Sequence, residues 1–340
     1  MIRAQEFGRM QDPALLACRF DALDLRLGAR APLSARIRRL GAELGQQGIR
    51  FRPHCWLSSD FFTPDGVPGM ALPFYLAHPR LMRLERAQRL HCEGQNKREC
   101  MQLLRHETGH AIDNAYELHK RGEWRRLFGL RSAPYRRIYG VHPAGQDHVR
   151  YLPNWYAQSH PAEDFAETFA VWLDTGSRWK QRYRAGPARA KLEWVAQVMA
   201  EIGSQAPRLS SREQTERIQS SKQTLGEHYL AQGRRLRREP IALFEEPLQA
   251  AFRSVGAPLQ SSTAAAYIRR HQKQIQLKLS AKWRGNSYAL EQVIAAMGQR
   301  CRQLGLQHSK HERGPTPGKM ANWVQLTLGA LESGSAQLAR

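Results

Sequence analysis

The chain has 340 residues, 41% of them hydrophobic and 9% aromatic, and a formal charge of +22. That length fits one large domain or two ordinary ones, and that apolar share excludes wholesale disorder. No stretch approaches the roughly 18 apolar residues of a membrane span. The first twenty residues also lack the apolar core of a secretory signal, so a cytoplasmic protein is the expectation.

The basic excess runs along the whole chain: residues 206–340 alone hold 21 Lys and Arg against 9 Asp and Glu. It implies attraction to a polyanion such as nucleic acid, although no nucleic-acid-binding motif accompanies it. The five cysteines, Cys18, Cys55, Cys92, Cys100 and Cys301, are odd in number and lack framework spacing. They read as buried or idle thiols rather than as disulfides or a zinc knuckle.

In chain order, the first clear element is a helix over 33–47, where Ile37, Leu40 and Leu44 recur at helical spacing and Gly48 is a plausible stop. A short extended run, 49–56, precedes a turn-rich TPDGVPG, and a second extended run covers 70–76. Pro73 cannot donate to a ladder and so predicts a sheet edge, where an extended peptide could add as a further strand. A long helix is predicted over 97–119, then a basic, Gly- and Pro-containing excursion over 120–155. A second strong helix starts near Pro161 and stops near Gly176, with Phe165, Phe169 and Leu173 on one face. Another helix covers 191–202, and the Pro/Ser-rich 204–211 suggests a boundary. Helical patterns follow at 211–238, 262–282 and 288–304, with a last helix after a Gly/Pro-rich break. The order predicts an α+β domain over 1–205 and a basic, mainly helical region over 206–340.

The chemistry concentrates in LLRHETGHAIDNAY, residues 103–116. Positions i and i+4 of a helix share a face, so His106 and His110 can aim two imidazoles at one Zn2+. Glu107 sits beside them as the general base of the H-E-x-x-H arrangement. Catalytic zinc usually takes three protein ligands and keeps one open position. Residues 154–170, NWYAQSHPAEDFAETFA, offer Glu163 and Glu167, again i and i+4. One carboxylate can bind the metal while the other accepts the N–H of a ligating imidazole. His160 could rival them but reads better as a helix cap, and Asp113 is either a further support or a solvated acid.

HETGH followed by YAQSHPAEDFAETF resembles the glutamate-zincin pattern of the zinc-binding metallopeptidases of bacteria, and is similar to the anthrax lethal factor type of zincin. The resemblance covers roughly residues 45–205 and implies a zincin-like domain with a small mixed sheet, acting on a peptide or protein substrate. It implies that His106, His110 and Glu163 are the zinc ligands, Glu107 the catalytic base and Glu167 a carboxylate behind the ligands. Tyr156, seven residues before Glu163, stands where that pattern carries a catalytic tyrosine, with Tyr151 as a nearby competitor. The alternative is a basic nucleic-acid-binding protein with a structural or vestigial zinc site, against which the intact Glu107 speaks.

Overall fold

A computed structural model of the protein describes residues 1–27, 31–89, 92–135, 145–237, 242–252, 261–279, 287–309 and 314–332. In chain order the elements are α1 Ala4–Phe7, α2 Asp12–Leu16, α3 Pro32–Gln46, β1 His54–Ser58, β2 Gly69–Pro73, α4 Pro79–Arg89, α5 Lys97–Tyr116 and α6 Gly122–Phe128. After α7 Pro161–Leu173 come α8 Trp179–Arg182, α9 Pro187–Ile202, α10 Leu225–Arg237 and α11 Ala242–Ala251. The remainder is β3 Ser261–Thr263, α12 Ala264–Lys278, α13 Ser287–Gln303, β4 Gln307–Ser309 and α14 Pro317–Glu332. The described residues, rich in helix and with two small two-stranded sheets, are consistent with an α+β class. Among the described residues no helix is long and apolar enough to cross a membrane. All five cysteines are free.

The chain divides into two compact units, the first running to Tyr229 and the second from Leu230. In the first, α3 begins on Pro32 and buries Leu33, Leu40 and Leu44, the apolar face seen in the sequence. Gly48, at φ +74°, supplies the left-handed turn that ends it. Helix α5 starts where the Asn96 side chain accepts the Glu99 N–H at 2.8 Å. It stops at Tyr116, three residues short of the sequence reading, because Glu117 adopts a left-handed conformation (φ +53°). Part of the stretch expected to be irregular is helical. Helix α6 buries Trp124 and Phe128 against the core, two residues too few for a visible period among arginines.

The crossing of α5 and α7 positions everything that follows. A Cβ on Gly109 would lie 2.8 Å from the Ala166 Cα and 3.0 Å from its carbonyl oxygen, so a glycine is required for the two helices to approach this closely. Thr108 and Thr168 beside the crossing bury their hydroxyls by donating to the carbonyls of Leu104 and Asp164 within their own helices. Arg105 locks α5 from the other side. Its guanidinium donates to both Glu43 carboxylate oxygens of α3 (2.8 and 2.9 Å), to Asp174 beyond α7 (2.7 Å) and to the Tyr151 hydroxyl (2.8 Å).

Strands β1 and β2 pair in parallel with Trp56 opposite Ala71. β2 is buried along its length and ends at Pro73, after which Phe74–Ala77 forms a 3-10 turn rather than the strand continuation expected to 76. Its second edge does not await a peptide at mid-strand: Ala71 exchanges both backbone hydrogen bonds with Phe62, at 2.8 and 3.4 Å. The sequence reading missed this because nothing in it shows the β1–β2 connection folding back as a partner.

The chain beyond α9 stays on this unit. Arg208 and Leu209 N–H donate to the Ala115 carbonyl, and Leu225 N–H donates to Cys18. On β1, His54, Trp56 and Ser58, alternate residues on one face, hold the carbonyls of Glu213, Thr215 and Glu216. The first unit therefore extends past residue 205, where composition put the boundary. Residues 211–217, read as helical, form this extended strap instead. The second unit packs α11 to α14 around Leu248, Ile268, Val293, Met297 and Val324, with β3 antiparallel to β4. Helix α11 and these three-residue strands carry too short a pattern to be read from the sequence.

Candidate metal centre

Helix α5 presents His106, Glu107 and His110, and α7 presents Glu163 in its first turn. Pro161 starts α7 and His160 caps it, the ring Nδ1 accepting the Ala162 N–H at 3.1 Å. The crossing at Gly109 and Ala166 then brings three side-chain atoms together. His106 Nε2 lies 3.0 Å from Glu163 Oε2, His110 Nε2 lies 3.2 Å from the same oxygen, and the two imidazole nitrogens are 3.2 Å apart.

Facing one another at these distances, the three atoms either share protons as hydrogen bonds or, with both Nε2 atoms deprotonated, converge their lone pairs on one point where a cation can sit. Tetrahedral bonds of 2.0–2.1 Å to zinc would separate the donors by ~3.3 Å. The observed triangle fits that spacing within a few tenths of an ångström, and two imidazoles with one carboxylate is a donor set suited to zinc. Among the described residues these three form the group of His, Cys, Asp and Glu side chains able to hold a metal ion. Glu107, a residue along, is 7% exposed, and its Oε2 is buried with no hydrogen-bond partner. An orphaned carboxylate oxygen beside the triangle is what a reacting water would satisfy. The Thr63 hydroxyl ties the Glu107 carbonyl to the turn after β1, at 3.1 Å.

Electrostatics agree with the geometry. Burial alone would push the Glu163 carboxyl up, but the His110 charge and hydrogen bonds from both imidazoles outweigh it and hold the group well below the usual range. Burial would lower His110, yet the Glu163 charge raises it to about 8, with Glu107 contributing. Burial pushes Glu167 well above the ordinary carboxylate range, against the pull of two backbone N–H groups. Asp164 rises to about 7 through burial, partly offset by Lys191, which donates to it at 2.6 Å.

Glu167 does not take the part foreseen for it. Its carboxylate accepts the backbone N–H groups of Tyr151 (3.2 Å) and Leu152 (3.3 Å), while His106 Nδ1 is buried without a partner. It thereby ties to α7 the segment that leads into Tyr156, whose ring lies 5.8 Å from that of His106. Tyr151 is no competitor, because its hydroxyl is engaged by Arg105 and Asp174. His160 is held at both ring nitrogens, the second 2.7 Å from the Ala133 carbonyl, and so caps rather than ligates. Asp113 is buried and turned toward His119 and Arg131, away from a ligand's part. His148 lies 3.8 Å from Asp164, and His142 falls outside the described residues.

Sequence reasoning overlooked Tyr135, whose hydroxyl donates to Glu163 Oε1 at 3.0 Å. A lone tyrosine between a proline and two arginines gives no periodic signal. It also overlooked Gly109, although a small residue inside a helical metal motif is a readable sign of close packing.

No curated protein and no solved structure matches the chain. Residues 83–221, the span that carries both α5 and α7, match the model of a family described as "Putative zinc-binding metallo-peptidase", to which this part of the chain is therefore similar.

Proposed function

We propose that the first unit is a zinc metallopeptidase of glutamate-zincin type, with His106, His110 and Glu163 as ligands and Glu107 as general base. The observation that carries this reading is the triangle of three donor atoms beside an orphaned, buried Glu107 oxygen. The family match over residues 83–221 supports it independently. Bound in the triangle, zinc would acidify a water and polarise a scissile carbonyl.

The chain's own groups supply the rest. Glu107 Oε2 takes a proton from the attacking water and returns it to the leaving amine. Tyr156, whose ring lies 5.8 Å from that of His106, donates its hydroxyl to the oxygen of the scissile carbonyl as negative charge develops there. His106 and Glu163 are buried and the His110 side chain is 12% exposed, which limits competing water and strengthens each of these interactions.

A purely structural zinc site has no use for a buried Glu107 Oε2 without a partner, since leaving such a group unsatisfied costs about 1–3 kcal/mol or more. The test is a Glu107→Gln variant analysed for zinc and for hydrolysis of a mixed peptide library. The expected result is about one zinc per chain in both proteins with turnover lost only in the variant. Equal turnover in both, or zinc without any cleavage by the unaltered protein, would overturn the peptidase reading.

A further inference from the structure

The segment after α6 supplies a group that the peptidase reading leaves without a role. Tyr135 lies on the side of Glu163 away from the imidazoles. Its hydroxyl donates to Oε1 at 3.0 Å, while Oε2 faces His106 and His110 at 3.0 and 3.2 Å. The two oxygens of one carboxylate are thus divided between a phenol and the metal triangle.

The phenol is braced. Its ring stacks on His160 with centroids 3.7 Å apart and planes 10° from parallel. His160 is itself fixed at both nitrogens: Nδ1 accepts from Ala162 N–H, so the proton is on Nε2, which donates to the Ala133 carbonyl at 2.7 Å. One histidine therefore caps α7, pins the 129–135 segment two residues before the tyrosine, and supports the tyrosine ring. Gly129 closes the loop, at φ +107°, with room for a Cβ limited by Pro161 at 3.3 Å. None of this bracing is needed to cap a helix, for which the Nδ1 contact suffices.

We propose that Tyr135 is a positioning residue of the metal centre, holding Glu163 so that a single oxygen reaches the metal and a coordination position stays open for water and substrate. This rests on the peptidase reading above. Without the phenol, Glu163 is no longer held in its ligating orientation, which weakens the metal's hold, and Oε1 is free to swing in beside Oε2 and crowd the open position.

The test compares the unaltered full-length protein with Tyr135→Phe, which keeps the stacked ring and removes only the hydroxyl, and with Leu130→Ala, an exposed change in the same segment. Zinc affinity is measured by competition with a chromophoric chelator, and the Co2+-substituted proteins are compared by visible absorption, whose intensity falls as four-coordination gives way to five. Hydrogen-bond partners of metal ligands typically contribute 10–100-fold in affinity. Tyr135→Phe is expected to bind zinc about 10–100-fold more weakly and to show the weaker Co2+ bands, while the melting midpoint of the metal-free protein falls by only a few degrees at most. Leu130→Ala is expected to match the unaltered protein in both readouts. Affinity and Co2+ spectrum of Tyr135→Phe both equal to those of the unaltered protein would overturn this inference alone. Failure of the unaltered protein to bind zinc would instead remove the peptidase reading beneath it.

Discussion

Substituting Gly109 by alanine adds one methyl group at the point where α5 and α7 touch. That carbon would meet the Ala166 Cα at 2.8 Å, its oxygen at 3.0 Å and its Cβ at 3.3 Å. Carbon atoms rest at about 3.5–4.0 Å, so the helices must separate by roughly 0.7 Å. Two effects oppose each other in stability. Alanine gains about 1 kcal/mol of helix propensity over glycine, and overpacking a close-packed crossing costs about 1–3 kcal/mol. The net loss is then at most about 2 kcal/mol, and the first unit remains folded.

The effect on the site is larger than the effect on the fold. Glu163 lies three residues before Ala166, on the neighbouring turn of the same face, so a shift of α7 carries its carboxylate away from the imidazoles. Metal–ligand bonds tolerate only about 0.2 Å of error, and the displacement exceeds that severalfold. Gly109→Ala should bind zinc at least about 10-fold more weakly while its metal-free melting midpoint falls by a few degrees at most. Chelator competition and thermal unfolding read the two quantities separately. A variant that binds zinc as tightly as the unaltered protein would refute the argument that this crossing sets the triangle.

Two further outcomes follow from the surroundings of the site. Burial would raise the Glu43 carboxyl, but the hydrogen bonds and charges of Arg105 and Arg39 lower it below its ordinary value. A depressed folded-state pKa adds stability above the ordinary carboxylate range and loses it as pH falls through the folded value. Glu43→Gln should thus destabilise the first unit at neutral pH and flatten its loss of stability below about pH 4.5; an unchanged pH profile would count against the Arg105 network. Tyr156→Phe should retain full zinc and lose about 10²–10³-fold in turnover, as loss of one oxyanion donor does elsewhere. A loss of zinc in that variant would point instead to a packing role.

The helices that carry the site were legible because their signals are local. HETGH fixes a two-imidazole face by spacing alone, and Pro161 followed by Phe165, Phe169 and Leu173 marks both the start and the buried side of α7. The meeting of His106 and His110 with Glu163, across 57 and 53 residues, is tertiary, and only the resemblance of the two motifs singled out Glu163 over Glu167. Glu167 illustrates the limit. Its i, i+4 spacing from Glu163 allows either carboxylate to support an imidazole, and the backbone of Tyr151 and Leu152 takes it instead. Tyr135, Phe62 and the strap over β1 act through contacts between distant segments, and no residue pattern within those segments announces them. The basic excess, read as attraction to a polyanion, has no counterpart in the family match.

The central claim is that two imidazoles from one helix and one carboxylate from another, 57 and 53 residues apart in sequence, hold one zinc ion. X-ray absorption at the zinc edge of the purified protein, repeated on Glu163→Ala, addresses it directly. The account predicts a shell of nitrogen and oxygen at about 2.0–2.1 Å with two imidazole signatures and no sulfur, and a lowered zinc content in the variant. A sulfur shell near about 2.3 Å, or an unchanged spectrum and stoichiometry in Glu163→Ala, would contradict it.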